Sequence, residues 1–126
     1  MTRHVTLEQG LRIARAAVGG AIQVRDLGLL EAALLRPATS LFGHDAYPDL
    51  FVKAGALLHS IVTNHPFVDG NKRAGWLTTY VFLAKNGIEL DPADDDAYDF
   101  VVAVAAGKLT EVDEIADVLR TFAAPS

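Results

Sequence analysis

The chain has 126 residues, 51% apolar and 21% charged, with a formal net charge of −5 and no cysteine. This length predicts a single domain over residues 1–126, able to bury about two-thirds of the surface its unfolded chain exposes. The composition reads as globular rather than disordered, the lack of cysteine excludes disulfides and thiol chemistry, and an acidic balance argues against direct nucleic-acid binding.

The elements read almost entirely as helix. Thr6-Leu7-Glu8-Gln9 has capping-box spacing and opens a first helix that runs to about Val18 and stops at Gly19-Gly20. Asp26 caps a second helix with Leu29, Leu30, Ala33 and Leu34 on its apolar side, limited by Pro37. Residues 37–48 carry Pro37, Gly43 and Pro48 and read as a loop, or a short helix with loops. A third helix starts near Asp49, with Leu50, Ala54, Leu57, Leu58 and Ile61 as its stripe, and ends near Asn64. The fourth, about 70–86, is apolar almost all round and reads as the central buried helix, stopped at Asn86-Gly87. Ile88-Glu89-Leu90 reads as a brief extended piece. Asp91 and Pro92 supply an N-cap and a first helical residue for a fifth helix, with Asp94, Asp95 and Asp96 in its first turn and Gly107 as its stop. Thr110 caps a last helix with the stripe Ile115, Val118, Leu119 and Phe122. The expected fold is all-α, a compact bundle of about six helices.

No apolar run reaches the roughly 20 residues of a membrane span. Met1-Thr2-Arg3-His4 lacks the apolar core of a signal peptide. The absence of thiols suits a reducing cytoplasm, the expected location.

Chemistry concentrates in His65-Pro66-Phe67-Val68-Asp69-Gly70-Asn71-Lys72-Arg73, at the start of the fourth helix. Singly, each residue has an ordinary reading: a surface histidine, an N-cap aspartate, a turn glycine, solvated cations. His4, His44 and His59 lack a supporting cluster and read as structural, and no zinc-ligand spacing, P-loop, dinucleotide fingerprint or serine elbow is present. Taken together, the nine residues have complementary roles. Lys72 and Arg73 in a first helical turn oppose the helix dipole by roughly 0.3–1 kcal/mol each, a conflict that a bound anion removes. His65 can accept a proton from a hydroxyl nucleophile. Asp69 can hold Mg²⁺, which typically takes one or two carboxylates plus phosphate oxygens. Gly70 lets the backbone approach phosphates, and Asn71, Lys72 and Arg73 can neutralise a transferring phosphoryl group.

The stretch resembles the signature of the Fic/Doc family, H-x-F-x-[DE]-[GA]-N-[GK]-R. Leu30–Pro37, Tyr47–Leu50 and Val81–Gly87 are similar to phrases of its death-on-curing (Doc) branch, so the resemblance covers nearly the whole chain and is weakest before residue 20. It implies an α-helical fold whose motif loop and following helix bind a nucleotide. His65 would be the base and Asp69 the Mg²⁺ ligand. Asn71, Lys72 and Arg73 would contact phosphate, Gly70 would give backbone approach, and Phe67 would be the buried anchor. Residues 37–48 would lie where Fic enzymes carry a target-docking flap. Most Fic proteins transfer AMP from ATP and carry a further arginine three residues beyond the first; here that position is Trp76. Lys72 and Trp76 match the Doc branch, which implies a toxin that transfers the ATP γ-phosphate to a threonine of elongation factor Tu and blocks translation. A Phd-type antitoxin would restrain it, since no segment resembles the internal inhibitory S/T-x-x-x-E-G-N helix. An AMP transferase and a non-catalytic nucleotide- or partner-binding module are the alternatives.

Overall fold

The first three helices begin where a short polar side chain takes up their free amides. Thr6 and Gln9 form a reciprocal capping box, Asp26 accepts from the Leu29 N–H at 3.1 Å, and Asp49 accepts from those of Phe51 and Val52 at 2.7 and 3.3 Å. Each such cap contributes about 1 kcal/mol. The computed structural model describes residues 1–125 and contains α1 Leu7–Val18, α2 Leu27–Leu35, α3 Leu50–Asn64, α4 Asn71–Lys85, α5 Asp94–Ala105 and α6 Val112–Phe122. The fold is thus a six-helix arrangement with one small hairpin. No helix among the described residues is long and apolar enough to cross a membrane.

The central helix is α3 rather than α4. Nine residues of α3 are buried, and it packs against α2, α4, α5 and α6, whereas α4 leaves Leu77, Tyr80 and Val81 half-covered. Small residues permit the close approach. A Cβ on Gly55 would stand 3.0 Å from the Val112 carbonyl oxygen of α6, and one on Gly75 would stand 2.7 Å from Val62 Cγ1 on α3. The apolar run of α4 is indistinguishable from that of a hub because sequence shows hydrophobicity and not the number of neighbours.

Two helix starts differ from expectation. α5 begins at Asp94 after Ala93, not at Asp91-Pro92, because residues 89–91 are held extended against the C-terminal segment. The Asp91 N–H donates to the Phe122 carbonyl at 2.8 Å, and the Ala124 N–H donates to that of Glu89 at 2.8 Å. In α6 the N-cap is Glu111, without a side-chain cap, rather than Thr110.

Residues 37–48 are more ordered than a loop. Arg36–Ala38 form a 3-10 turn, and β1 Ser40–Leu41 pairs antiparallel with β2 His44–Asp45. The two-residue turn between them, Phe42-Gly43, has φ of 53° and 80°, and Phe42 is fully exposed. The hairpin stem is tied to α3 by the buried Lys53, whose ammonium donates to Asp45 at 3.3 Å and to the Tyr47 carbonyl. Arg36 spans the same region, donating to the Tyr47 hydroxyl, Ser60 Oγ and His59 Nδ1 at 3.1, 2.9 and 3.1 Å.

Candidate functional site

The site is the turn from α3 into α4. α3 closes at His65, which adopts the left-handed conformation (φ 51°, ψ 62°), at a cost of about 1–2 kcal/mol for a residue with a Cβ. The segment before α2 holds the turn. Arg25 donates Nε to the His65 carbonyl and Nη2 to the Asn64 carbonyl, each at 2.7 Å. The N–H groups of Arg25 and Asp26 both donate to the Pro66 carbonyl, and that of Val68 donates to the Gln23 carbonyl at 3.0 Å.

Phe67 is the anchor, only 1% exposed. Asn71, also buried, accepts the Phe67 N–H on Oδ1 at 3.0 Å and donates Nδ2 to the Phe67 carbonyl at 2.9 Å. Its remaining amide hydrogen faces His65 Nδ1 at a long 3.4 Å. The sequence assigned this side chain to phosphate; in the structure both ends of its amide are engaged within the loop. Gly70 has a similarly internal reason for being glycine. Its φ is 81°, and a Cβ there would stand 2.6 Å from Val18 Cγ1 on α1.

Gly70 is the N-cap of α4, and no side chain caps the helix. The Asp69 carboxylate does not reach the helix amides. Its Oδ1 accepts the Gly70 N–H at 2.8 Å. The first amides of α4 therefore remain free for an anion. Lys72 and Arg73 are exposed, and neither belongs to an ion pair among the described residues.

His65, Asp69, Gly70, Asn71, Lys72 and Arg73 all line one cavity of about 630 Å³. Its opposite wall is α5, through Asp94, Tyr98, Val101 and Val102, with Trp76 between. Trp76 is half-buried, edge-on to Phe100 and Phe122 at 6.4 and 6.3 Å between ring centroids. Sequence reasoning missed the α5 wall; its acidic first turn reads equally well as dipole compensation. Arg25 was missed as well, because it lies 40 residues from His65. None of the hairpin residues lines this cavity.

Among the described residues no three His, Cys or carboxylate side chains cluster as a metal cage. Asp69, exposed on the cavity with one oxygen engaged by Gly70, suits instead a hard cation that completes its shell with phosphate oxygens and water.

A base, a carboxylate, two cations and an uncapped helix start thus meet at one cavity. The family model described as Fic/DOC family matches residues 4–83, which include the whole motif loop. The chain belongs to the Fic/Doc family. Its Fic/Doc match stops before α5, so the cavity's far wall lies outside the matched region. A protein named Toxin Doc, from Mycolicibacterium smegmatis, is 44% identical over 126 residues, covering 98% of this chain and 96% of its own length. A protein named Protein kinase doc, from Escherichia phage P1, is 29% identical over 121 residues, covering 94% of each. Both pairings extend through α5, and the first extends through α6 as well.

Proposed function

We propose that this chain is a Doc-type toxin acting in the cytoplasm as a protein kinase, moving the γ-phosphate of ATP to a threonine of elongation factor Tu and so blocking translation. The observation that carries the reading is the uncapped start of α4, with Lys72 and Arg73 beside it, sharing a cavity with His65 and Asp69. The near full-length likeness to Toxin Doc and to Protein kinase doc supports it. Restraint by a Phd-type antitoxin chain belongs to the same reading, supported by the toxin name of the first relative.

In this reading the acceptor hydroxyl gives its proton to the His65 imidazole as its oxygen attacks the γ-phosphorus. The bond from that phosphorus to the β–γ bridging oxygen breaks, and ADP leaves with that oxygen. Base assistance of this kind contributes roughly 10²–10⁴-fold. The free amides of α4, Lys72 and Arg73 take up charge spread over the phosphoryl oxygens. Mg²⁺, held through Asp69, would neutralise the charge between neighbouring phosphates. Trp76 occupies the position where AMP-transferring relatives place an arginine, and an indole cannot clamp an anion as a guanidinium does.

The test is incubation of the protein with elongation factor Tu, Mg²⁺ and ATP, followed by intact mass of the target and analysis of the released nucleotide. A phosphoryl addition with ADP is expected. An adenylyl addition with pyrophosphate moves the protein to the AMP-transferring branch. Nucleotide binding with no transfer by folded protein favours a binding module.

A further inference from the structure

We infer that Arg25 is the positioning residue for His65, its guanidinium clamping the α3 terminus so that the imidazole is presented to the cavity. The inference rests on the reading of His65 as the base. α3 ends on carbonyls that have no intrahelical partner and carry the negative end of the helix dipole, an environment that favours a cation. Arg25 meets two successive carbonyls, those of Asn64 and His65, with two N–H groups of one planar fork, both at 2.7 Å. The second of these belongs to the catalytic candidate itself, at a left-handed position that a residue with a Cβ occupies only when its surroundings enforce it.

The imidazole has little else to direct it. Its one hydrogen-bonding neighbour among the described residues is Asn71 Nδ2, at a long 3.4 Å. The direction in which it projects therefore follows from the backbone at residue 65, and Arg25 grips that backbone. Arg25 does not line the cavity, so it acts through His65 and not on the nucleotide. The cations have a separate support. Lys72 and Arg73 sit on α4, held to the loop by the Asn71–Phe67 amide pair, and the backbone bonds from residues 23–26 to residues 66–68 do not need the Arg25 side chain. Removing the guanidinium should thus separate rate from binding.

The experiment uses the full chain with Arg25→Ala and Arg25→Lys. It reads kcat and KM for ATP with elongation factor Tu as acceptor, and the imidazole NMR signals of the four histidines, with His65 assigned through His65→Gln. In Arg25→Ala, kcat should fall by roughly 10- to 100-fold, the scale of a slightly misplaced reacting group. KM for ATP should stay at the wild-type value, and only the His65 signal should move while those of His4, His44 and His59 hold. Arg25→Lys should recover part of kcat, since an ammonium reaches the carbonyls without the fork. Wild-type kcat with an unmoved His65 signal, a change in KM alone, or movement of all four histidine signals would each overturn the inference. Should wild-type protein transfer no group, the kinase reading fails, and the imidazole signals alone decide the role of Arg25. Should Arg25→Ala fail to fold, Arg25→Lys is judged by the same two measurements: a reduced kcat with a displaced His65 signal supports the clamp, and wild-type values for both overturn it.

Discussion

The Asn71 amide binds both backbone groups of Phe67, accepting its N–H at 3.0 Å and donating to its carbonyl at 2.9 Å. One side chain at the start of α4 thereby does what a neighbouring strand would do for the loop. Asn71→Ala leaves a buried N–H and a buried carbonyl without partners. It is expected to lower stability by about 1–3 kcal/mol, the cost of an unsatisfied buried polar group, and to reduce transfer as the turn loosens. Urea unfolding followed by circular dichroism measures the first effect. An unchanged midpoint would show that the pair contributes nothing to the fold.

His65→Ala should fold, because the residue is exposed and its imidazole makes one long hydrogen bond among the described residues. Alanine still carries a Cβ at this left-handed position, so the backbone strain is kept. Transfer is expected to fall by at least roughly 10²-fold, the lower range for loss of a general base. Single-turnover rates of the purified variant check this, and full activity would remove His65 from the mechanism.

Arg73→Ala should slow transfer more than Lys72→Ala. A guanidinium can fork onto two phosphate oxygens, while an ammonium acts as a point charge. Both residues are exposed at a helix start, so neither variant should lose measurable stability. Comparison of kcat/KM at saturating Mg²⁺ ranks them; equal losses would contradict the ordering.

Trp76→Arg should not create an efficient AMP transferase. The indole is packed between Phe100 and Phe122, where α4, α5 and α6 meet. Arginine there crowds a charge against two aromatic rings and is expected to cost about 1–3 kcal/mol. The variant should melt earlier and release little pyrophosphate. Efficient adenylylation by this single change would show that position 76 alone selects the transferred group.

Acid should weaken the fold partly through His59. Its burial, then the Arg36 charge, hold the imidazole pKa below its ordinary value near 6.5, so the folded chain resists a proton that the unfolded chain accepts. The contribution is present above that ordinary value and is lost as pH falls through it towards the folded pKa. His59→Gln keeps an acceptor for Arg36 without titrating. The difference in urea midpoint between about pH 7.5 and about pH 5.5, either side of the ordinary histidine pKa, should therefore be smaller in the variant. His4, also lowered chiefly by burial, preserves part of the slope in both proteins. Equal pH dependence would show that His59 does not couple to folding.

What the sequence determined by itself is local. Thr6 and Asp26 cap their helices as read, the third helix starts next to Asp49 as read, and Gly19, Gly87 and Gly107 take the left-handed stops. The motif residues were legible as one site because they are contiguous: a single turn and the helix start after it bring His65, Asp69, Lys72 and Arg73 to the same cavity without help from a distant segment. The tertiary structure alone decided the rest. It made α3 the hub, drew residues 89–91 into pairing with the C-terminus in place of an earlier α5, and folded 40–45 into a hairpin over Lys53. It turned the Asn71 amide inward, made α5 the far wall of the cavity and brought Arg25 to the His65 carbonyl. Each of these follows from contacts between segments far apart in the chain. Their energies come from packing and from shared backbone partners, neither of which is written in the propensities of the residues concerned.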